Sequence, residues 1–281
     1  MSPRPIVLER IVVALLWAVA AMTIGVLLFI VGFILLRGLP HVSWQFLTES
    51  PQKMGREGGI LPMIVSSALV AGLGVLIAAP IGVATAVYLT EYTRGGRVTA
   101  VIRFGADCLA GIPSIIFGLF GFVFFAITLG LGLCVLSGAL TLAVMVLPTV
   151  IRTSEEAIRA VPDAYREVSY GLGSTRWQMV TRVVLRSALP GVVTGVVLSL
   201  ARALEETAAV MLTAGSALRM PSSLLDSCRV LPLHFYLLAR EGISMDKAYA
   251  TAAVLVIVVL AINFLTYRLM RRFIGKAGQY V

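Results

Sequence analysis

Six long apolar stretches follow one another along the chain, with polar connections between them. Each is long enough to cross the hydrocarbon core of a bilayer, because a transmembrane helix needs about 20 predominantly apolar residues. The pattern therefore predicts an all-α polytopic membrane protein with six transmembrane helices. The predicted spans are residues 11–36, 60–89, 108–129, 133–152, 190–214 and 248–270.

The composition agrees with a membrane protein. Of the 281 residues, 59% are hydrophobic and 13% are charged, whereas soluble domains carry about 25% charged residues. The net charge of +9 would suit nucleic acid, but the cations cluster at the ends of the apolar stretches, so we expect no nucleic-acid partner. With the N-terminus inside, fifteen cations fall on the inner side and seven on the outer side. This bias predicts that both termini are cytoplasmic.

Small residues recur four positions apart in the second and third apolar stretches. Such spacing lets two helix backbones approach each other closely in a membrane. The helices can pack in this way within the chain or against a second membrane subunit, and the sequence leaves both possibilities open. The residues concerned are Ala68 with Gly72, Ala78 with Gly82 and Ala86, and Ser114 with Gly118.

The longest inner connection, residues 153–189, has the pattern of a short amphipathic helix. Pro162 suits its first turn, where a missing N–H costs nothing. Gly171 and Gly173 can end the helix by taking positive φ. The residues that form one apolar stripe at helical spacing are Val161, Tyr165, Val168 and Leu172.

A second helix is predicted after the glycines. Thr175 and Gln178 have the spacing of a capping box, and an apolar stripe from Trp177 to Val184 continues towards Pro190. The first helix either lies on the inner leaflet or docks into a groove on a partner. Acidic residues among its arginines favour docking, since a membrane-bound helix is usually more uniformly basic.

One guanidinium and two carboxylates interrupt the fifth apolar stretch, at positions 202, 205 and 206. A charge in hydrocarbon costs about 2.5–3.5 kcal/mol on insertion scales, so such groups usually face protein or a water-filled cavity. Arg202 and Glu206 are four residues apart, which places them on the same face of a continuous helix. We interpret them as part of a substrate path. The alternative is an ion pair that merely neutralises both charges.

No arrangement of residues in the sequence points to catalysis or to a metal site. Cys108, Cys134 and Cys228 lack metal-ligand spacing, and we expect Cys108 and Cys134 to be buried. His41 and His234 are far apart in connecting regions, where we expect interfacial or solvated side chains. The sequence also lacks the Gly-x-x-x-x-Gly-Lys-[Ser/Thr] motif that cradles nucleotide phosphates. We therefore expect a chain that is not an enzyme.

The inner connection resembles the cytoplasmic loop of the permease subunits of ATP-binding-cassette importers. That loop has a motif of Glu-Ala-Ala, three residues, Gly, nine residues and Ile-x-Leu-Pro. The matching residues are Glu167, Gly173 and Leu185, and Arg186 stands where the family has proline.

Two further stretches narrow the resemblance to permeases of the bacterial high-affinity phosphate importer. One is residues 111–120, which read Gly-Ile-Pro-Ser-Ile-Ile-Phe-Gly-Leu-Phe, and the other is residues 201–208, which read Ala-Arg-Ala-Leu-Glu-Glu-Thr-Ala. The family usually has glycine where Glu205 stands here. The likeness extends over residues 60–270.

The resemblance implies a type I importer permease fold, embedded in the lipid of the bacterial plasma membrane. Its parts would be an N-terminal transmembrane helix and outer loop at 1–59, a permease core at 60–270 with a coupling loop at 153–189, and a cytoplasmic tail at 271–281. The implied partners are a second, similar permease, two copies of a cytoplasmic ATPase and an extracytoplasmic phosphate-binding protein. The ATPase would hydrolyse ATP, and this chain would bind no cofactor itself.

Residue roles follow from the positions that match the family. The coupling residues would be Pro162, Tyr165, Glu167, Val168, Gly171 and Gly173, and the substrate-path residues would be Arg202, Glu206, Thr207 and Ser114. Phosphate that retains a proton can donate a hydrogen bond to a carboxylate such as Glu206, whereas sulfate meets only repulsion there. Two alternatives stay open, a permease for another oxyanion or small solute and a stand-alone secondary carrier.

Overall fold

A computed structural model describes residues 4–93 and 95–277, with side chains described for residues 9–93, 95–265, 267 and 268. These residues form a helical bundle with one short hairpin. The elements, in chain order, are α1 (Arg4–Gly38), α2 (Trp44–Thr48), β1 (Pro51–Gln52), β2 (Glu57–Gly58), α3 (Leu61–Val87), α4 (Arg97–Ala110), α5 (Ser114–Gly121), α6 (Val135–Arg159), α7 (Asp163–Gly171), α8 (Arg176–Met179), α9 (Leu185–Glu205), α10 (Ala208–Thr213), α11 (Leu231–Arg240) and α12 (Met245–Ala277).

Five continuous helical stretches of the described chain are long and apolar enough to span a membrane. They are Glu9–His41, Leu61–Tyr92, Val135–Arg159, Arg176–Glu205 and Met245–Leu265. Two of these stretches include π-helical segments, at Tyr88–Tyr92 and Val180–Val184. A third π-helical segment, Phe122–Thr128, continues α5. A sixth span exists only if α4 and the helix Ser114–Thr128 are counted together.

The predicted third span, 108–129, is not one straight helix. α4 ends at Ala110, and the next helix begins at Ser114 and runs at an angle of 103° to it. Pro113 causes the break, because proline disfavours helical backbone at the residue before it. Cys108 is exposed on α4, which corrects the expectation that it is buried.

The predicted fifth span, 190–214, is also broken. The helix is continuous from Arg176 to Glu205, so it begins within the inner connection and ends earlier than expected. Glu206 then has extended backbone, with φ −74° and ψ 126°, before the short helix α10. Both of these predicted spans are therefore broken, the third at Pro113 and the fifth at Glu206.

The core lies between α3, α6, α9 and α10. A Cβ on Gly82 of α3 would come within 2.7 Å of Val150 Cγ1 on α6, so these helices need the small residue predicted there. The pair Ala68 and Gly72 makes no such contact with the described residues, because Ala68 is exposed. The central apolar residues are Val70, Val75, Leu142, Val146, Ala203, Leu204 and Val210.

Each end of the bundle has its own apolar cluster. The inner end, which carries α4, α7 and α8, is centred on Ile158, Val161, Met179 and Val184. The outer end, which carries α2, the hairpin and α11, is centred on Phe46, Ile60, Met63 and Leu231. His234 of α11 is 1% exposed there, beneath Gly55. The expectation of a solvated His234 was wrong, because the hairpin covers α11.

α1 stands apart from the core. Its most apolar window is not buried by the described residues, and it meets α12 near its C-terminal end, where the rings of Phe33 and Tyr249 lie 5.9 Å apart. At the other terminus α12 continues to Ala277, through most of the predicted tail 271–281. Residues 278–281 lie outside the described residues.

Candidate functional site

Arg202 lies in the last turn of α9, within a stretch that is apolar enough to span a membrane. Its side chain is exposed, while the adjacent Ala201 and Ala203 are buried in the core. Within the described chain, the guanidinium has no hydrogen bond or ion pair. Leu198, Arg202 and Glu205 form an exposed stripe on one face of α9. Because a lone charge in lipid is costly, this face must meet protein or water.

Glu206 does not share that face. Its Oε1 accepts the backbone N–H of Ala208 at 3.1 Å and of Ala209 at 3.2 Å, so the carboxylate caps the first turn of α10. A carboxylate at a helix N-terminus satisfies free N–H groups and is favoured by the helix dipole. The expected common face of Arg202 and Glu206 is therefore corrected, because the helix ends between them.

Glu205 is the carboxylate that does share the face of Arg202. It is three residues further along α9 and exposed, and none of the described residues bonds to its side chain. In the sequence, Glu205 stands out only as an added charge where the family has glycine. The signal that could have revealed its place was the spacing of three, which also puts residues on one helix face.

Ser114 and Thr207 lie at the two helix breaks. Ser114 opens α5, and Thr207 directly precedes α10; both side chains are half-buried. α5 packs against α10, since a Cβ on Gly118 would come within 2.7 Å of Ala209 Cα. The structure brings the two breaks into neighbouring helices but shows no hydrogen bond from either hydroxyl to Arg202. Broken helices in the middle of a membrane are typical of substrate sites in transporters.

The inner loop has the predicted helix, turn and second helix. Pro162 directly precedes α7, and the capping box is present, with Gln178 N 3.3 Å from Thr175 Oγ1 and Thr175 N 3.0 Å from Gln178 Oε1. Gly173 has φ +79°, as expected. Gly171 does not take positive φ, because it is still the last residue of α7.

α7 presents an apolar face that this chain leaves open. Val161 is buried in the inner cluster, but Tyr165, Val168 and Leu172 are exposed, Leu172 by 83%. Glu167 is also exposed beside them. A groove of about 500 Å³ runs between this face and Arg182 and Val183 of the next helix. An exposed apolar helix face beside a groove is typical of a surface that docks with a partner.

A helical bundle with a charged residue in a broken span and an exposed amphipathic helix at one end is typical of the membrane subunit of a transporter. The chain belongs to the family described as binding-protein-dependent transport system inner membrane component, which matches residues 78–277. It is therefore a multi-pass transport permease. The predicted importer permease fold is confirmed.

Named relatives extend the similarity. The chain is 32% identical over 260 residues to the probable ABC transporter permease protein YqgI of Bacillus subtilis, covering 87% of this chain and 88% of the relative. It is 38% identical over 209 residues to the phosphate transport system permease protein PstA 1 of Mycobacterium tuberculosis, covering 73% and 68%. A structure of the MetNI methionine ABC transporter matches with a TM-score of 0.64 and 21% identity, over 76% of this chain and 95% of that one.

Proposed function

We propose that this chain is a transmembrane permease subunit of an ATP-driven phosphate importer in the bacterial plasma membrane. It forms half of the translocation path and couples that path to a separate ATPase. The observation that carries the proposal is Arg202, an exposed guanidinium within a membrane span. The identity of 38% to a phosphate transport permease supports phosphate as the anion.

The chemistry of the exposed stripe suits this substrate. The guanidinium of Arg202 offers a planar fork of donors that matches two oxygens of an oxyanion. Glu205 can accept a hydrogen bond from a phosphate that retains a proton, whereas sulfate has no proton to donate and is repelled. Thr207 and Ser114 can contribute hydroxyl groups from the two helix breaks, and Glu206 holds α10 in place.

The partners follow from the family and from the open surfaces of the chain. They are a PstC-like second permease, two copies of a PstB-like ATPase and a PstS-like extracytoplasmic phosphate-binding protein. The exposed face of α7 docks with the ATPase, which hydrolyses the ATP, so this chain needs no cofactor. Closure of the ATPase pair pushes α7 and rocks the bundle between two states, a rigid-body form of alternating access.

Uptake of labelled phosphate into membrane vesicles that contain the whole complex tests this proposal. Arg202→Lys keeps the charge but loses the planar fork, so we expect ATP-dependent uptake to fall on the order of tenfold, since a charged hydrogen bond contributes about 1.5–3 kcal/mol. Arg219→Lys, a change in the exposed outer loop, is the matched control. Unchanged uptake by Arg202→Lys would refute the substrate role.

Competition separates phosphate from other substrates. Excess sulfate, molybdate or phosphonate is added to the same vesicles, and we expect unlabelled phosphate to compete far better than any of these. Preference for another anion would identify a different oxyanion permease. Purification in mild detergent must also yield an associated ATPase subunit, and its absence would favour a secondary carrier.

A further inference from the structure

Glu91 is a buried carboxylate at the inner end of the second span, in the π-helical segment that continues α3. Arg166, in the middle of α7, reaches it with Nη2 2.8 Å from Oε1, and its Nε lies 3.2 and 3.4 Å from the two oxygens. The side chains are 6% and 17% exposed, respectively. This ion pair joins α7 to α3 directly.

The same guanidinium also holds the inner end of α6. Its Nη1 donates to the carbonyl of Val161 at 2.7 Å, and its Nη2 donates to the carbonyl of Ile158 at 3.0 Å. Nη1 also donates to Oδ1 of Asp163, the first residue of α7, at 3.0 Å. Arg166 thus directs its fixed fork of donors at the ends of two spans, and a single side chain ties α7 to both.

A second arginine links α8, the helix on the other side of the turn, to the same residue, Glu91. Arg176, the first residue of α8, donates from Nη2 to the backbone carbonyl of Glu91, and its guanidinium lies 5.0 Å from the centre of the Tyr92 ring. The chain itself connects α7 to α8 through Gly173, whose backbone is the most permissive of any residue. The polar contacts at Glu91 therefore link both helices of the loop to the end of α3, in addition to the turn that joins the two helices to each other.

We propose that Glu91 and Arg166 are a positioning pair that carries the displacement of α7 into α3 as well as α6. The proposal rests on the proposed function, because it needs an ATPase that moves α7. A buried pair resists separation, since losing one partner leaves the other charge uncompensated. α3 contributes Val70 and Val75 to the cluster that contains Ala203 and Leu204, beside Arg202. Movement of α3 therefore reaches the charged turn of α9.

The experiment uses the complete complex with Glu91→Gln and Arg166→Lys. Glu57→Gln is the matched control, because it removes one carboxylate from the exposed Lys53–Glu57 pair at the outer end. Phosphate imported per ATP hydrolysed is measured in proteoliposomes. A second readout needs no phosphate: the alkylation rate of Leu198→Cys, on the stripe of Arg202, with and without ATP and vanadate. Cys108 is first replaced by serine, since it is exposed and the other cysteines are buried.

We expect both variants still to bind the ATPase, because the exposed face of α7 is unchanged. Phosphate imported per ATP should fall roughly tenfold, within the range of coupling between distant sites. The effect of nucleotide on the alkylation of Leu198→Cys should disappear. Glu91→Asp, which keeps the charge, should restore part of both signals, and Glu57→Gln should match the parent complex.

Two results would overturn the positioning role. One is parental coupling in both Glu91→Gln and Arg166→Lys, and the other is loss of ATPase binding in both, which would make the pair a folding element. Failure of the proposed function looks different. The parent complex would then import no phosphate, while the alkylation of Leu198→Cys would still report whether nucleotide acts through Glu91.

Discussion

Two adjacent carboxylates at the end of α9 have different surroundings. Glu206 accepts two backbone N–H groups of α10, whereas Glu205 is exposed on the stripe with Arg202. The first carboxylate is committed to local structure, and the second is available to a bound molecule. In the proposed substrate path, this division separates stability from substrate contact at neighbouring positions.

Alanine at each position should distinguish the two roles. Glu206→Ala removes the cap of α10 and should lower the free energy of unfolding by about 0.5–2 kcal/mol, the usual cost of losing a capping side chain. Glu205→Ala removes an exposed group without a partner in the described chain, so the melting temperature should stay unchanged. Thermal unfolding of the two purified variants compares them, and equal effects would argue against the capping assignment.

His234 should make stability depend on pH. Burial, together with the charge of Arg229, lowers the pKa of His234 from 6.5 to about 4, and α11 lies outside the candidate spans. The folded protein favours the neutral ring, so the free energy of unfolding is not reduced by His234 above pH 6.5, where the ring is neutral in both states. As the pH falls from 6.5 towards 4, only the unfolded protein takes up the proton, and the free energy of unfolding falls by roughly 3 kcal/mol.

The pH dependence is measured as the unfolding midpoint between pH 7 and pH 4.5. His234→Gln should flatten the profile over this interval, because the titrating group is gone. His41→Gln, at the exposed histidine, is the control and should leave the slope as it is. A parental slope in His234→Gln would assign the acid sensitivity to other groups.

At the scale of elements, the inner loop could be predicted from the sequence, whereas the break at Glu206 could not. α7 and the capping box depend on residues that are close together in sequence, so the spacing of those residues was sufficient to predict both elements. The break in the fifth span is held by the bonds of Glu206 to the next turn, which the spacing of Arg202 and Glu206 in sequence does not reveal. The burial of His234 depends on a hairpin that is distant in sequence, which no local pattern reports.

The turn after α7 depends on the positive φ of Gly173, which residues with a Cβ rarely adopt. Proline there cannot adopt φ +79° and also loses the N–H that bonds to the Tyr170 carbonyl at 2.9 Å. We expect Gly173→Pro to abolish phosphate uptake and its coupling to ATP hydrolysis, and Gly173→Ala to be destabilised by about 1 kcal/mol.

The control for this turn is Gly171→Ala. Gly171 is helical, and the position that a Cβ would occupy there is open space, so alanine should be neutral or slightly stabilising. Uptake and ATP hydrolysis in vesicles compare the three variants. Normal transport by Gly173→Pro would mean that the turn plays no part in coupling.

At the scale of the whole molecule, the uncovered surfaces and the charge distribution are typical of one subunit of a larger assembly. The apolar window of α1, the stripe of Arg202 and the face of α7 are all left open by the described chain. Each suits a different neighbour: lipid or a second permease, the translocation path, and the ATPase. By the positive-inside rule, the arginines gathered around α4, α7 and α8 predict that this end faces the cytoplasm.

This orientation predicts which single cysteines an impermeant maleimide can reach. In a Cys108→Ser background, Met54→Cys in the hairpin is 66% exposed at the outer end, and Leu172→Cys after α7 is the most exposed apolar position of the inner loop. The cells used lack the ATPase subunit, because that subunit would cover Leu172 in the proposed complex. Intact cells should then allow labelling of Met54→Cys alone, and Leu172→Cys should react only after permeabilisation. Ala203→Cys, buried in the core, should stay unlabelled in both conditions. The reverse pattern would put α7 on the outer side, beyond the reach of any cytoplasmic ATPase, and the coupling mechanism would fail with it.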